Sequence, residues 1–355
     1  MTATLHIHGW GAVTPVGLTA PSTCAAVRAG INRFEDTFVS GPAAPTRKIS
    51  TVRAARALKN DYGEWLSNLA VRALSEAIGA QPFDANRAAL LVLYPSDDRP
   101  APAPSTAVFV QALQKKARLA FAEVHVVSEA DKTLAGLLRL VQELTASNKV
   151  AECIVGAADS FLSAAELRQL EGAGRLHGED NPRGMFPSEG AAFLRVSPSL
   201  YGYPLRPVGR IVGFAETREA EQSQARGRSV GDAMRLATGQ ALGRAGLPES
   251  SVGLVCSNFA GERDQGWEQT FAHAKTYRTR RPRLPKLWPG MSVGDIGCAS
   301  VMLSPIAAGM ALARGYGNAG VATCEAYSRF GPRGCVVVAS PDRTAFVGPG
   351  VRAPT

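Results

Sequence analysis

The chain has 355 residues, 45% of them apolar and 19% charged, which excludes a disordered chain and leaves ample length for a large buried core. Its formal charge is +9, but the basic residues are spread along most of the sequence and accompany no recognition motif, so nucleic acid is not an expected partner. Six single cysteines (Cys24, Cys153, Cys256, Cys298, Cys324 and Cys335) without CxxC or Cys/His spacing exclude a patterned metal site and read as reduced buried thiols, while the lack of a basic-then-apolar leader or of about eighteen consecutive apolar residues predicts a cytoplasmic protein with no membrane contact.

Residues 5–13 alternate like a strand and run into the turn Thr14-Pro15-Val16-Gly17. Residues 19–30 read as a helix with an early Pro21 and a terminal Gly30. A longer amphipathic helix follows over 65–78. The continuous apolar run 88–94 is the mark of a strand buried on both faces. Residues 133–144 have helical spacing, and 152–157 form a second such strand. This alternation predicts an α/β architecture with a largely parallel sheet. The second half repeats the order. Residues 208–214 echo the opening strand, 252–257 echo 89–94, the small-residue helix 299–314 echoes 133–144, and 334–339 correspond to the strand holding Cys153. Two βαβ-rich halves are expected, 1–200 and 207–355, joined near 197–207 into one two-lobed unit.

Lys275, Arg278, Arg280, Arg281, Arg283 and Lys286 form one basic cluster, and Tyr277, Pro282 and Pro285 make it an exposed loop. It is either simply solvated or a contact for an acidic partner, such as an acyl carrier protein or an acidic toxin domain.

Five separated segments share an order found elsewhere. They are Gly9-Trp10-Gly11-Ala12-Val13-Thr14-Pro15-Val16-Gly17, then Ile154-Val155-Gly156-Ala157-Ala158-Asp159-Ser160, then the run from Asp180 through Phe186-Pro187-Ser188-Glu189-Gly190-Ala191 to Leu194, then Ser292-Val293-Gly294-Asp295-Ile296-Gly297-Cys298-Ala299-Ser300, and last Ser328-Arg329-Phe330-Gly331-Pro332-Arg333-Gly334. Together they resemble the thiolase superfamily, and within it the β-ketoacyl-acyl-carrier-protein synthases. The resemblance implies a thiolase-like fold, in which two pseudo-repeated halves build a layered α/β/α/β/α core.

That family uses a cysteine at a helix N-terminus, activated by the helix dipole, and two histidines that bind the extender thioester. Here the nucleophile position falls on Ser128 or Glu129. The segment Asn258-Phe259-Ala260-Gly261 puts Ala260 at the first imidazole, and Asp295 stands at the second. All three groups are replaced, and a carboxylate at 295 would repel a malonyl-type substrate. Ser128 would need a base, yet the five histidines (His6, His8, His125, His177, His273) lie outside the matched motifs. Glu129 and Asp295 either pair with Arg263 in a polar pocket that also takes in Phe186 and Phe330, or simply fill an inactive one.

The resemblance therefore implies a protein that binds rather than catalyses, with no cofactor and no metal. The segment from Ser257 to Glu268 is similar to short ketosynthase-like proteins encoded beside type VI secretion spike and effector genes, which implies an adaptor or chaperone for a secreted partner. Alternatives are a chain-length-factor-like partner of an active ketosynthase, or an acyltransferase or thioesterase acting from Ser128, Glu129 or Asp295. A homodimer or heterodimer is expected in either binding case, with residues 124–127 pairing across a two-fold axis.

Overall fold

A computed structural model of the protein describes residues 4–39, 44–52, 62–79, 81–96, 99, 105–200, 202–203, 205–219, 229–318 and 320–341. The outer ends of the two expected halves, and positions 201 and 204 of the joint between them, lie outside these residues. The first half contains β1 (Leu5–Val13), α1 (Ala20–Ala29), β2 (Phe34–Phe38), β3 (Thr46–Ser50), α2 (Tyr62–Ile78), β4 (Ala88–Tyr94), α3 (Thr106–Ala117), β5 (Glu123–Ser128), α4 (Leu134–Ala146), β6 (Glu152–Ser160), α5 (Ala164–Gly172) and β7 (Glu189–Ser197). The second contains β8 (Gly209–Arg218), α6 (Asp232–Ala245), β9 (Leu254–Ser257), α7 (Arg263–Thr276), β10 (Lys286–Leu287), α8 (Gly290–Val293), α9 (Ser300–Ala313), β11 (Val321–Tyr327) and β12 (Pro332–Ala339).

The strands form one sheet in the order β10-β9-β11-β12-β8-β1-β7-β6-β4-β5, with β2 and β3 paired separately. Its two five-stranded halves are joined edge to edge where Leu5, His6 and Ile7 pair with Ile211, Arg210 and Gly209. Each half is mixed, where a largely parallel sheet was expected. Strands β4, β5 and β6 are parallel, but β7 runs antiparallel to both β6 and β1. The second half copies this, with β12 antiparallel to β11 and β8. The repeat therefore pairs β12 with β7. The strand equivalent to β6 is β11, which lies parallel to β9 as β6 does to β4. This corrects the sequence-based match of 334–339 to the Cys153 strand. Apolar strands of either direction look alike in sequence, and only their neighbours distinguish them.

Helices cover both faces of each half, which is why β4, β6, β7, β11 and β12 are buried along their whole length. Leu91, Val155 and Leu194 from the first half face Leu254, Cys324 and Val336 from the second, with α4 and α9 between them. On the outer faces, α2 and α3 cover Leu90, Val92 and Phe193, while α6 and α7 cover Ala215, Val255 and Val337. The result is five layers, α/β/α/β/α.

Local signals behave as their chemistry requires. Thr19 and Ser22 cap α1 reciprocally, Pro21 sits in its first turn, and Gly30 ends it at φ +68°. Gly9 and Gly11 let α2 lie directly on β1, because a Cβ at either would run into the carbonyl oxygen of Ala77 or Ala73. Among the described residues no helix is long and apolar enough to cross a membrane. Gly11→Val is expected to separate α2 from β1 and lower the unfolding free energy by about 3 kcal/mol, measurable by urea denaturation.

Candidate functional site

The ends of β4, β5 and β6, the start of α4 and the turns after β9 and β11 enclose a cleft of about 370 Å³. Glu129 and Asp295 both line it, although they come from opposite halves. The signature turn explains how Asp295 is held. The Asp295 N–H donates to the Phe186 carbonyl at 2.7 Å, and the Ser188 N–H donates to the Asp295 carbonyl at 3.0 Å. Gly294, at φ +80°, lets that segment lie against Ser188. Glu189 is structural, since its carboxylate accepts from the Val52 N–H at 2.7 Å and the Trp65 indole at 2.8 Å.

Below the cleft lies a buried ion network. Arg99 donates from Nη1 to both oxygens of Asp159 at 2.7 Å, and from Nη2 to the Ser160 carbonyl at 3.2 Å. Its guanidinium also lies 3.6 Å from Glu129 and 3.4 Å from Glu166, with its flat face over the Phe161 ring. Asp159 additionally accepts from the Cys298 N–H at 2.9 Å, which ties the two halves together. Arg329 reaches Glu166 at 3.5 Å, and Arg175 holds Glu262 through two bonds of 2.7 and 2.8 Å.

These are the cations that the sequence reading missed. Arg263 stands exposed at the start of α7, outside the cleft. Phe186 and Phe330 do not line the cleft either. Phe186 is stacked between Phe34 and His177, while Arg329 lies over the Phe330 ring. Ala260 is buried beneath Gly290 and likewise stays out of it.

Neither Ser128 nor Cys298 is placed to act as a nucleophile. The Ser128 hydroxyl accepts from the Ala130 N–H at 3.2 Å, closing its own turn, and does not line the cleft. None of the five histidines lines it. Cys298 does line it, but burial, reinforced by the Asp159 and Glu129 carboxylates, pushes its thiol well above the usual range and keeps it neutral. The N-terminus of α4, where a nucleophile would profit from the helix dipole, is closed by a carboxylate. Glu216 of β8 accepts from the Thr133 N–H at 2.5 Å and the Thr133 hydroxyl at 2.7 Å. Among the described residues no group of three or more His, Cys, Asp or Glu is arranged to hold a metal ion.

Comparison with solved structures agrees with this architecture along almost the whole chain. The ishigamide ketosynthase/chain length factor superposes with a TM-score of 0.70 at 19% identity, covering 95% of this chain and 99% of that one. The chain has the ketosynthase fold. The ketosynthase from module 6 of the bacillaene synthase of Bacillus subtilis 168 gives 0.74 at 11% identity, over 95% of this chain and 72% of that chain. A chain from the complex of a type II polyketide acyl-carrier protein with its ketosynthase bound to the hexaketide gives 0.73 at 13% identity, over 96% and 100% of the two chains. No protein-family profile and no curated protein matches the sequence.

Within this ketosynthase fold the cleft carboxylates resist ionisation. Burial, with the Asp159 charge adding to it, pushes Glu129 up to about 7, and burial pushes Asp295 up to about 6. Both carboxyls thus hold protons more tightly in the folded state than in the unfolded chain. Their contribution to stability is complete at low pH and is lost as pH rises from the unfolded values through the folded ones, a window from about 4 to about 7. Urea denaturation across that window should show wild type losing stability relative to the Glu129→Gln/Asp295→Asn variant as pH rises. A constant difference would refute the assignment.

Proposed function

We propose that this protein is a catalytically inert member of the ketosynthase fold that works by binding another protein. The observation that carries this reading is the closed start of α4. Glu216 already takes the hydrogen bonds of Thr133 at that N-terminus. A second anion there, whether a thiolate or an oxyanion, would face a carboxylate rather than an open dipole. Beneath it lies the Arg99–Asp159–Glu129 network, whose charges are already engaged with one another.

The preferred role is adaptor or chaperone for a type VI secretion spike or effector, a reading supported by the resemblance of the segment from Ser257 to Glu268. That segment forms the loop after β9 and opens α7. On the outer face of α7, Trp267 and Phe271 are stacked with ring centres 5.7 Å apart and are 46% and 40% exposed. Exposed aromatic pairs of this kind are characteristic anchors of protein interfaces. The basic cluster divides in two. Lys275 is held by Asp232 and Arg281 by Glu249, whereas Arg278, Arg280, Arg283 and Lys286 are exposed and suit an acidic partner. A second reading, a chain-length-factor-like partner of an active ketosynthase, is favoured by the likeness to the ishigamide ketosynthase/chain length factor and by the position of β5 at the sheet edge.

Incubation with acyl-carrier-protein and coenzyme A thioesters, followed by intact-mass analysis, is expected to show neither acylation nor turnover. A covalent adduct lost in Ser128→Ala would overturn the inert reading. Co-expression with the protein encoded beside its gene is expected to yield a complex. Trp267→Ala/Phe271→Ala should weaken that complex by about 30-fold or more, the loss of at least one interface anchor worth about 2 kcal/mol. A complex with a ketosynthase subunit that is indifferent to this variant would favour the second reading.

A further inference from the structure

At the sheet edge opposite β5, a second cavity of about 220 Å³ opens between α1, β9, β10 and α9. Val27, Leu254, Leu287, Ala307 and Met310 give it an apolar floor. Its rim carries Arg28, Lys286 and Arg314 together with Tyr316, and no carboxylate lines it. The Arg28 guanidinium lies 3.6 Å from the centre of the Tyr316 ring, which positions the cation at the mouth while leaving its charge unneutralised. Among the described residues none of these three cations forms an ion pair. Cys24 contributes a neutral wall, since burial pushes its thiol up to about 12. The cavity shares no lining residue with the central cleft.

An apolar floor beneath three unneutralised cations is complementary to one arrangement of ligand: an aliphatic body with an anionic head. Concave apolar sites gain specificity from a few polar groups at the rim, and guanidinium groups match carboxylates in shape as well as charge. We propose that this cavity is a binding site for a medium-chain carboxylate. The chain would lie along Val27, Leu287 and Met310, with the carboxylate between Arg28 and Arg314. The site would give the scaffold a small-molecule ligand independent of the central cleft, with Lys286 shared between its rim and the basic surface proposed for an acidic partner.

Isothermal titration of the full chain with octanoate near neutral pH tests this directly, with 1-octanol and acetate as comparison probes. Octanoate is expected to bind with one-to-one stoichiometry. Removing its charge (1-octanol) or its chain (acetate) should weaken binding by about tenfold or more, the equivalent of one charged contact or a few buried methylenes. Arg28→Gln/Arg314→Gln, altered only at exposed positions, should lose a similar factor while its melting behaviour stays that of wild type. Ala311→Phe, which fills the cavity, should abolish binding. The proposal is overturned if octanoate gives no binding heat, if 1-octanol binds equally well, or if binding survives in both variants.

Discussion

One carboxylate that never meets water joins the two halves of this molecule. Asp159 ends β6 in the first half and is completely buried. It accepts from Arg99, from the Ser160 N–H and, across the halves, from the Cys298 N–H. A buried charge of this kind is tolerable only when it is fully partnered, so everything around it is placed to satisfy it. Gly297 has no side chain because a Cβ would collide with the Asp159 carboxylate, and its φ of +60° turns the chain so that the next N–H points at Asp159. Arg99 in turn gathers Glu129 and Glu166. The floor of the cleft is thus a set of mutually dependent charges, while on its walls Glu129 accepts from the Ser96 N–H and Asp295 from the Gly297 N–H and the Ser300 hydroxyl.

The turns that line the cleft position hydrogen bonds that hold the scaffold. The signature turn around Pro187 fixes the backbone of Asp295, and the start of α4 is anchored to β8 through Glu216. Asp159, Ser188, Glu189 and Asp295 all have structural partners, so each can be retained for stability alone. What the surface offers instead is a stacked aromatic pair on α7, a run of exposed arginines after it, and a cation-rimmed apolar cavity at the far edge.

Much of the architecture was legible in the sequence. The unbroken apolar runs of β4 and β6 could only be strands covered on both sides, and Pro21 with Gly30 marked both ends of α1. The five-layer arrangement came from the resemblance, not from periodicity. Strand β11 escaped notice because Glu325 interrupts it. In the structure that carboxylate is buried and accepts from His273, Tyr277 and Tyr327, a pairing that no local pattern reveals. The site was half legible: Glu129 and Asp295 fell on cleft positions, but their cations did not. Arg263 was chosen for its nearness in sequence to Ala260. Arg99 lies in a proline-rich stretch that reads as a solvated loop, and Arg175 and Arg329 are brought in only by the tertiary fold. The one available signal was Asp159 itself, a charge directly after the apolar run from Cys153 to Ala158.

The central claim is that the floor of the cleft is a structural ion network organised by Arg99 and Asp159. A double-mutant cycle in urea denaturation, with Arg99→Met, Asp159→Asn and the two combined, tests it most directly. Each single substitution leaves a buried charge or donor without its partner and is predicted to cost about 3 kcal/mol or more. The combined variant should cost less than the sum, giving a coupling of about 2 kcal/mol. Additive losses, or single variants as stable as wild type, would contradict the account.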